Sequence, residues 1–488
     1  MSIDENIFKK VVSHSKEYGF IFQSSEIYDG LQAVYDYGQN GVELKNNIKQ
    51  AWWKSMTQLN DNIVGLDSSI FMHPTTWEAS GHIDSFNDPM IDNKDSKKRY
   101  RADVLLEDKA AHYESSGDKA RCDALLQKMG KLLEAEDLAG VYDLIMEEEI
   151  KCPVSGTSNW TEVRQFNLMF GTQVGSVAED ASTIYLRPET AQGIFVNFLN
   201  VQKTGRMKVP FGIAQIGKAF RNEIVARQFT FRMREFEQME MQFFVRPGEE
   251  MQWYNKWKEN RMKWHKAIGS ADENLRYHDH EKLAHYANAA VDIEFKYPFG
   301  FKEMEGIHSR TDFDLSSHEK FSGKKLQYHD EELGKKYIPY VVETSAGADR
   351  VFLSVMCNAF KEEMVGEEGK QKMRTYLSLH PALAPVKAAI LPLLKKDGLP
   401  EAAREIFNDL KLDFKVAYEE KAAIGKRYVR QDLIGTPFCF TVDHQTLEDQ
   451  TVTVRYRDTM KQERIPVSQV KTLVADASDM KTILKELQ

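Results

Sequence analysis

The stretch FGIAQIGKAFRNEIVARQFTFRMREFEQMEMQFFV, residues 211–245, carries two strand patterns separated by a short polar loop. In an extended chain alternate residues share a face. Over 211–223 one face collects Ile213, Gln215, Gly217, Ala219, Arg221 and Glu223. Over 231–245 one face collects Arg232, Arg234, Phe236, Gln238, Glu240 and Gln242, and the opposite face carries Met239, Met241, Phe243 and Val245, which predicts core. A sheet covered by helices on one side would turn the polar row toward a cleft. Guanidinium groups bind phosphate in a forked geometry and stack on planar bases, and carboxylates hold an ammonium. A solvated strand face with cross-strand ion pairs has a similar composition. Phe236 and the amides among the charges tell against that plainer reading, as do two further segments.

The first is YLRPETAQGIF, residues 185–195, with Pro188 where a helix would begin and Glu189 in its first turn. The second is ETSAGADRVFL, residues 343–353, which reads as a strand turning sharply into a helix at Gly347. Helix amides and Arg350 would then face the sheet end, where phosphate oxygens fit. Neither a GK[ST] loop nor a GxGxxG fingerprint is present.

Outward from these segments, an amphipathic helix is predicted from about Val42 to Met56, a helical insertion over 102–150, and a Trp-rich helix in MQWYNKWKENRMKWHKAI. Prolines cluster at 378–387, and strand and helix patterns alternate after them as in a compact α/β module. The chain of 488 residues is long enough for two to four domains. Its net charge of −9 argues against indiscriminate nucleic-acid binding. Residues 381–488 hold 17 Lys and Arg against 16 Asp and Glu, and Lys421, Lys426, Arg427 and Arg430 give this stretch a local basic character that a solvated face would share. The four cysteines are scattered without a CxxC pair, which excludes a disulfide framework and a Cys-rich zinc site. The charged N-terminus lacks an apolar core and no run is long enough to span a bilayer, so a cytoplasmic location and no membrane association are expected.

In this order the segments resemble the signature of class II aminoacyl-tRNA synthetases. The stretch from Gly41 through HPTTWEASGH looks like motif 1, FRNE with its arginine-rich loop and following strand like motif 2, and GADR like motif 3. RPETAQGIF, FRMREFEQME, WEASGHIDSF, RYRAD and RTDFDL are similar to blocks of the homodimeric glycyl-tRNA synthetases, and GKRYVRQDLIGTPFCFTVD to their anticodon-binding domain. The resemblance implies an α+β fold. A class II antiparallel-sheet catalytic domain would span 1–375, with a helical insertion at about 92–165, and a C-terminal α/β anticodon-binding domain 380–488.

The same resemblance implies the site. Arg221 would hold the α-phosphate and the acyl carboxylate, with Asn222 and Glu223 joining the ATP site. Phe231, Arg232, Met233, Arg234, Glu235 and Phe236 would line it, Phe236 stacking on adenine. Glu303 and Met304 fall at a further ATP contact near magnesium. Gly347, Ala348, Asp349 and Arg350 would complete the nucleotide site, Arg350 at the γ-phosphate. For glycine the matching positions are Arg101, Glu189, Phe236, Glu237, Gln238, Met239, Glu240, Glu343, Thr344, Ser345, Ala346 and Gly347. Two departures stand out. Where many relatives carry a cysteine cluster, only CPVSG with Cys152 remains, so no protein zinc site is expected. The usual GWGELWGIADRTDYDL reads FGFKEMEGIHSRTDFDL here, keeping Glu303 among altered neighbours.

The implied reaction is activation of glycine by ATP, with Mg²⁺, to glycyl-adenylate, then transfer to the 3′ end of tRNA(Gly) by a homodimer. Positioning and charge neutralisation would supply most of the rate, without a covalent enzyme intermediate. The alternative, a non-catalytic nucleic-acid-binding accessory protein on the same fold, predicts loss of Arg221, Glu223 and Arg350, and all three stand in context.

Overall fold

The computed structural model describes residues 5–175, 182–224, 228–280, 283, 287–367, 369 and 371–488. It divides into two compact units, one of Met1–Ser68, Thr190–Lys218 and Phe236–Gln488, the other of Ser69–Glu189 and Ala219–Glu235.

The first unit is built on a seven-stranded sheet. Its strands are β1 (Ile63–Gly65), β2 (Phe211–Phe220), β3 (Glu235–Val245), β4 (Leu275–Asp279), β5 (Ala289–Tyr297), β6 (Gly300–Thr311) and β7 (Tyr340–Gly347). Their order is β4-β5-β6-β7-β3-β2-β1. The pairs β4/β5, β5/β6, β6/β7 and β3/β7 are antiparallel, and β1 joins β2 in parallel. The predicted core side of β3 is buried: Met239, Met241, Phe243 and Val245 are all solvent-inaccessible. Phe243 packs on Trp253 and Trp257 of the helix Glu250–Ala267, with ring centroids 4.7 and 5.4 Å apart. Phe198 of the helix Ala191–Thr204 packs on Phe244 and Phe211. The predicted amphipathic helix is Gly41–Thr57. Among the described residues no helix is long and apolar enough to cross a membrane.

Two expected strand ends move. The first strand stops at Phe220, and the second begins at Glu235 rather than 231. Backbone bonds outside the sheet ladder take over in between: Glu223 N donates to Arg221 O, Arg221 N to Arg234 O and Asn222 N to Leu168 O, and Phe229–Phe231 forms a 3₁₀ turn. Arg221, Glu223, Arg232 and Arg234 therefore lie beyond the strands, not on their faces. Residues 225–227 of the arginine-rich loop fall outside the described residues. The helix expected at Pro188 starts at Ala191. Thr190, just before it, is held from outside the helix: its N donates to Gln238 Oε1 at 3.1 Å and its hydroxyl to Glu240 Oε2.

Also in the first unit, the C-terminal segment forms a five-stranded sheet in the order 416–418, 388–392, 438–442, 451–456, 462–466. The helices Leu399–Leu410 and Val467–Ser478 cover one side through Ala403, Leu410, Val470 and Val474. The helix Ile424–Ile434 was hidden by its charged sequence. Its Asp432 is buried and accepts from Arg374 (3.0 Å) and Arg455 (2.8 and 2.9 Å). Arg427, expected on a basic surface, is buried as well: its guanidinium donates to the carbonyls of Pro392 and Glu419 at 2.7 and 3.0 Å.

The second unit contains a sheet of Asn87–Asn93, Lys98–Arg101 and Arg164–Asn167. Three helices, Ala102–Ser115, Lys119–Glu134 and Leu138–Glu147, fill the stretch expected to be helical. Asp118 and Asp137 cap the last two by accepting from Arg121 N and Gly140 N. Their apolar faces meet around Leu106, Val141 and Trp160.

Candidate active site

Strand register assembles the site from β3, β7 and β6. Glu240 stands opposite Ser345, and Ser345 opposite Gly306; Gln242 stands opposite Glu343, and Glu343 opposite His308. Cross-strand partners share a face, so these six residues form two adjacent rows on one side of the sheet. Gln242 Nε2 donates to Glu240 Oε1 at 2.9 Å and to Glu343 Oε2 at 2.6 Å, so one neutral amide bridges two buried carboxylates. His308 Nδ1 lies 2.8 Å from Glu343 Oε1, and Arg310 Nη1 donates to Glu343 Oε2 at 3.2 Å. A register shift between Ser309 and Thr311 accompanies the presentation of Arg310 beside His308. Asp314 holds the other side of the Arg310 guanidinium at 2.8 and 3.0 Å. Burial by itself would raise the Glu343 carboxyl, but Arg310 and His308 override it and hold Glu343 well below the usual carboxylate range. Gln238 completes the row, its amide donating to Ser345 Oγ at 3.3 Å.

Four residues expected near glycine fall elsewhere. Met239, Thr344 and Ala346 alternate onto the core side and are fully buried. Glu237 turns toward the helix Gly41–Thr57, pairing with Lys45 at 2.7 Å and Lys49 at 3.1 Å. Against the cost of burial, the two lysines hold its carboxyl below the ordinary value.

The expected nucleotide end lies where β7 runs into the helix Ala348–Ala359, with Gly347 at the junction. Arg350 donates to the carbonyl of Glu303 at 3.1 Å and pairs with its carboxylate at 3.0 Å. Glu303 stays half-exposed, so the pair can open toward an anion. Asp349 turns inward: it accepts from Tyr37 Oη (2.5 Å), Lys45 Nζ (2.6 Å) and Glu237 N (2.7 Å). It thus fastens the helix Gly41–Thr57 to β3 and the motif-3-like helix. Ala348 is buried, and Met304 is 1% exposed and sits in the core. Phe236, part-buried, stands at the start of β3.

In the second unit Arg101 is fastened by Asp103 (2.6 and 3.1 Å) and Asp88 (3.2 Å). Burial would lower its pKa, but those carboxylates raise it. Glu189 lies 3.5 Å from His82 Nε2. Arg221 Nε donates to Pro188 O at 3.0 Å, and its guanidinium sits 5.4 Å from the Phe86 ring. Arg234 donates to the Glu223 carbonyl at 2.9 Å, and Arg232 stands 3.9 Å from the Glu223 carboxylate. Phe231 and Met233 are buried, while Asn222 and Glu235 are part-buried. Cys152 is ringed by Ser96 Oγ, Tyr100 Oη and Ser155 N at 3.2–3.5 Å.

The site residues missed in the sequence are His308, Arg310, Lys45 and Tyr37, whereas Gln242 stood in the expected polar row without an assigned role. His308 and Arg310 had a local signal, two polar residues at strand spacing within GIHSRTD. Lys45 and Tyr37 had none, because their partner Asp349 lies some 300 residues away, at separations of 304 and 312.

An antiparallel sheet that carries a motif-3-like helix at its end is the class II synthetase arrangement. The tRNA synthetase class II core domain (G, H, P, S and T) matches residues 175–360. The glycyl-tRNA synthetase insertion domain 1 matches 88–123 and 117–168, and the anticodon binding domain 387–476. The fold is shared with prolyl-tRNA synthetase from Cryptosporidium parvum at a TM-score of 0.59 and 14% identity, covering 98% of this chain and 78% of that one. Much nearer in sequence is a glycine–tRNA ligase of Chlorobaculum tepidum, 55% identical over 96% of this chain and 99% of its own length. Those of Staphylococcus saprophyticus and Treponema denticola are 53% and 51% identical, over 96% and 95% of this chain and 98% and 96% of theirs. The chain belongs to the glycine–tRNA ligase family of class II aminoacyl-tRNA synthetases.

Proposed function

We infer that the chain activates glycine with MgATP and transfers it to the 3′ end of tRNA(Gly). A glycine carboxylate oxygen attacks the α-phosphorus, the bond to pyrophosphate breaks, and glycyl-adenylate forms. A terminal ribose hydroxyl of the tRNA then attacks the activated carbonyl, an ester forms and AMP leaves. The single observation that carries this reading is the Gln242 bridge between Glu240 and Glu343. Two buried carboxylates held side by side on one face by a neutral amide offer acceptor oxygens to a substrate ammonium.

Glu240 and Glu343 are the proposed ammonium ligands, with Ser345 beside them. Crowding against Ser345 and Gln238 rejects a Cβ, so alanine loses by a steric penalty rather than by weaker attraction. Arg350 takes the γ-phosphate, exchanging Glu303 for it. Arg221 takes the α-phosphate and the acyl carboxylate, and Phe236 stacks on adenine. Asp349 acts as a positioning residue that sets the start of the Arg350 helix. Residues 1–375 form the catalytic domain, with an insertion at about 92–165, and residues 380–488 read the anticodon. The active species is a homodimer working in the cytoplasm, which light scattering on the purified protein and fractionation of cells test.

The deciding experiment is amino-acid-dependent ATP–pyrophosphate exchange with glycine, alanine and serine, with Arg350→Ala as the control. Exchange with glycine alone, lost in the control, is expected. Absence of exchange with every amino acid in folded protein overturns the reading.

A further inference from the structure

Beside the carboxylate row described above, three strands of the sheet bring two imidazoles and a carboxylate together, with His308 common to both. Ala290 of β5 stands opposite His308 of β6, and Asp292, two residues on, opposite Gly306. His280, one residue past the end of β4, hydrogen-bonds through its backbone N to Ala290 O. By strand parity His280, Asp292 and His308 share one face. Their ligand atoms all lie within 4.8 Å of one another. His280 Nε2 is 2.9 Å from Asp292 Oδ2, yet this buried nitrogen lacks the alignment of a hydrogen bond. The two rings are 6.0 Å apart at 71° to each other.

Two independent features show that the third ligand is aimed at the same space. His308 spends Nδ1 on Glu343 at 2.8 Å, which leaves Nε2 as the nitrogen for another partner. A carboxylate that accepts from one ring nitrogen while the other binds metal is the usual second shell of a histidine ligand. A Cβ at Gly306 would lie 3.2 Å from His308 Nε2 and 3.6 Å from Asp292 Oδ1. The absent side chain thus keeps open the space on which those two atoms converge, a reason for glycine in a strand interior.

We propose that His280, Asp292 and His308 bind one divalent transition-metal ion of the zinc class, with a fourth position left to solvent. Two imidazoles and one carboxylate are the donor set that such ions prefer over Mg²⁺ or Ca²⁺. Metal–ligand bonds of about 2.0–2.2 Å at tetrahedral angles set ligand atoms roughly 3.3–3.6 Å apart, so side-chain rotations that draw the atoms together by about 1 Å close the cluster around an ion. Metal on Nε2 requires the proton on Nδ1, so the bound ion would fix His308 as a donor to Glu343.

Full-length protein, stripped with a chelator, is titrated with Co²⁺ followed by visible d–d absorption, then with Zn²⁺ in competition. One Co²⁺ per chain with tetrahedral-type bands, displaced by Zn²⁺ and unaffected by Mg²⁺, is expected. His280→Ala and Asp292→Asn each abolish the bands, and Gly306→Ala does so by filling the space. Glu343→Gln weakens binding by about 10–100-fold through the lost second shell. Circular dichroism checks that each variant is folded, and His280→Ala, at a strand end, is the one least able to disturb the sheet. Absence of stoichiometric binding overturns the assignment. So does binding that survives both His280→Ala and Asp292→Asn, which would place the ion elsewhere. Neither result bears on glycine-dependent exchange, so the two proposals fail separately.

Discussion

Glu305 and Glu343 lie on the adjacent strands β6 and β7, each buried and each held by one arginine and one histidine, yet the sheet uses them differently. Glu305 faces the helix Glu250–Ala267, where Arg261 Nε donates at 2.6 Å and His265 Nε2 lies at 2.7 Å, all three side chains fully inaccessible. One carboxylate meets one guanidinium, and charge closes on itself. Glu343 faces the other way and shares Gln242 with a second carboxylate, Glu240, while Arg310 is divided between Glu343 and Asp314. Three carboxylates, Glu240, Glu343 and Asp314, thus gather around Arg310 and His308. The two histidines register the contrast. Burial dominates at His265 and lowers its pKa with Arg261 assisting, whereas at His308 the bond to Glu343 overcomes burial and raises it. The Glu305 group is closed within the fold, and the Glu343 group is the one proposed to take the substrate ammonium.

The largest expected effect breaks the scaffold member. Glu305→Ala leaves Arg261 uncompensated and lowers stability by about 3–5 kcal/mol. Urea unfolding reads that loss, and the folded fraction keeps an unchanged glycine KM. A shifted glycine KM would erase the distinction between the two carboxylates. Glu343→Ala does the reverse: glycine-dependent kcat/KM in pyrophosphate exchange falls by about 2–5 kcal/mol in transition-state terms, with a smaller loss of stability. Retained exchange would remove Glu343 from the ammonium site. Gln242→Met removes the shared donor while keeping volume. Glycine KM should rise roughly tenfold, near 1.4 kcal/mol, and a change confined to melting temperature would make the bridge merely structural.

The smallest effect is a pH dependence. His265 is neutral in the fold because burial lowers its pKa below the ordinary histidine value of about 6.5. Its contribution is complete above that unfolded value. It is lost as pH falls from there toward the folded pKa, since only the unfolded chain takes up the proton. The slope for one proton is at most about 1.4 kcal/mol per pH unit. Melting temperatures of wild type and His265→Gln between pH 7 and 5 should converge by that slope, and parallel profiles would show His265 to be charged in the fold.

The strands and helices were legible wherever one period ran uninterrupted. Met239, Met241, Phe243 and Val245 announced a core side, and the amphipathic pattern over 42–56 matched the helix Gly41–Thr57. Legibility failed where local hydrogen bonds or distant ion pairs outweighed the period. The turn after Phe220 ended a strand whose alternation continued to Glu223. The helix Ile424–Ile434 looked solvated because the partners of its buried Asp432 lie 58 and 23 residues away.

By itself the sequence determined the family, the order of elements and which residues of β3 face which way, because alternation and motif spacing are local. Only the tertiary structure decided which charges meet. Cross-strand register set Gln242 between Glu240 and Glu343 and His308 behind them. A long-range pairing with Lys45 and Tyr37 turned Asp349 away from the expected nucleotide site into the scaffold. The physical reason is that a carboxylate's role depends on the charge returned to it, and that charge arrives from strands and helices whose proximity no local period encodes.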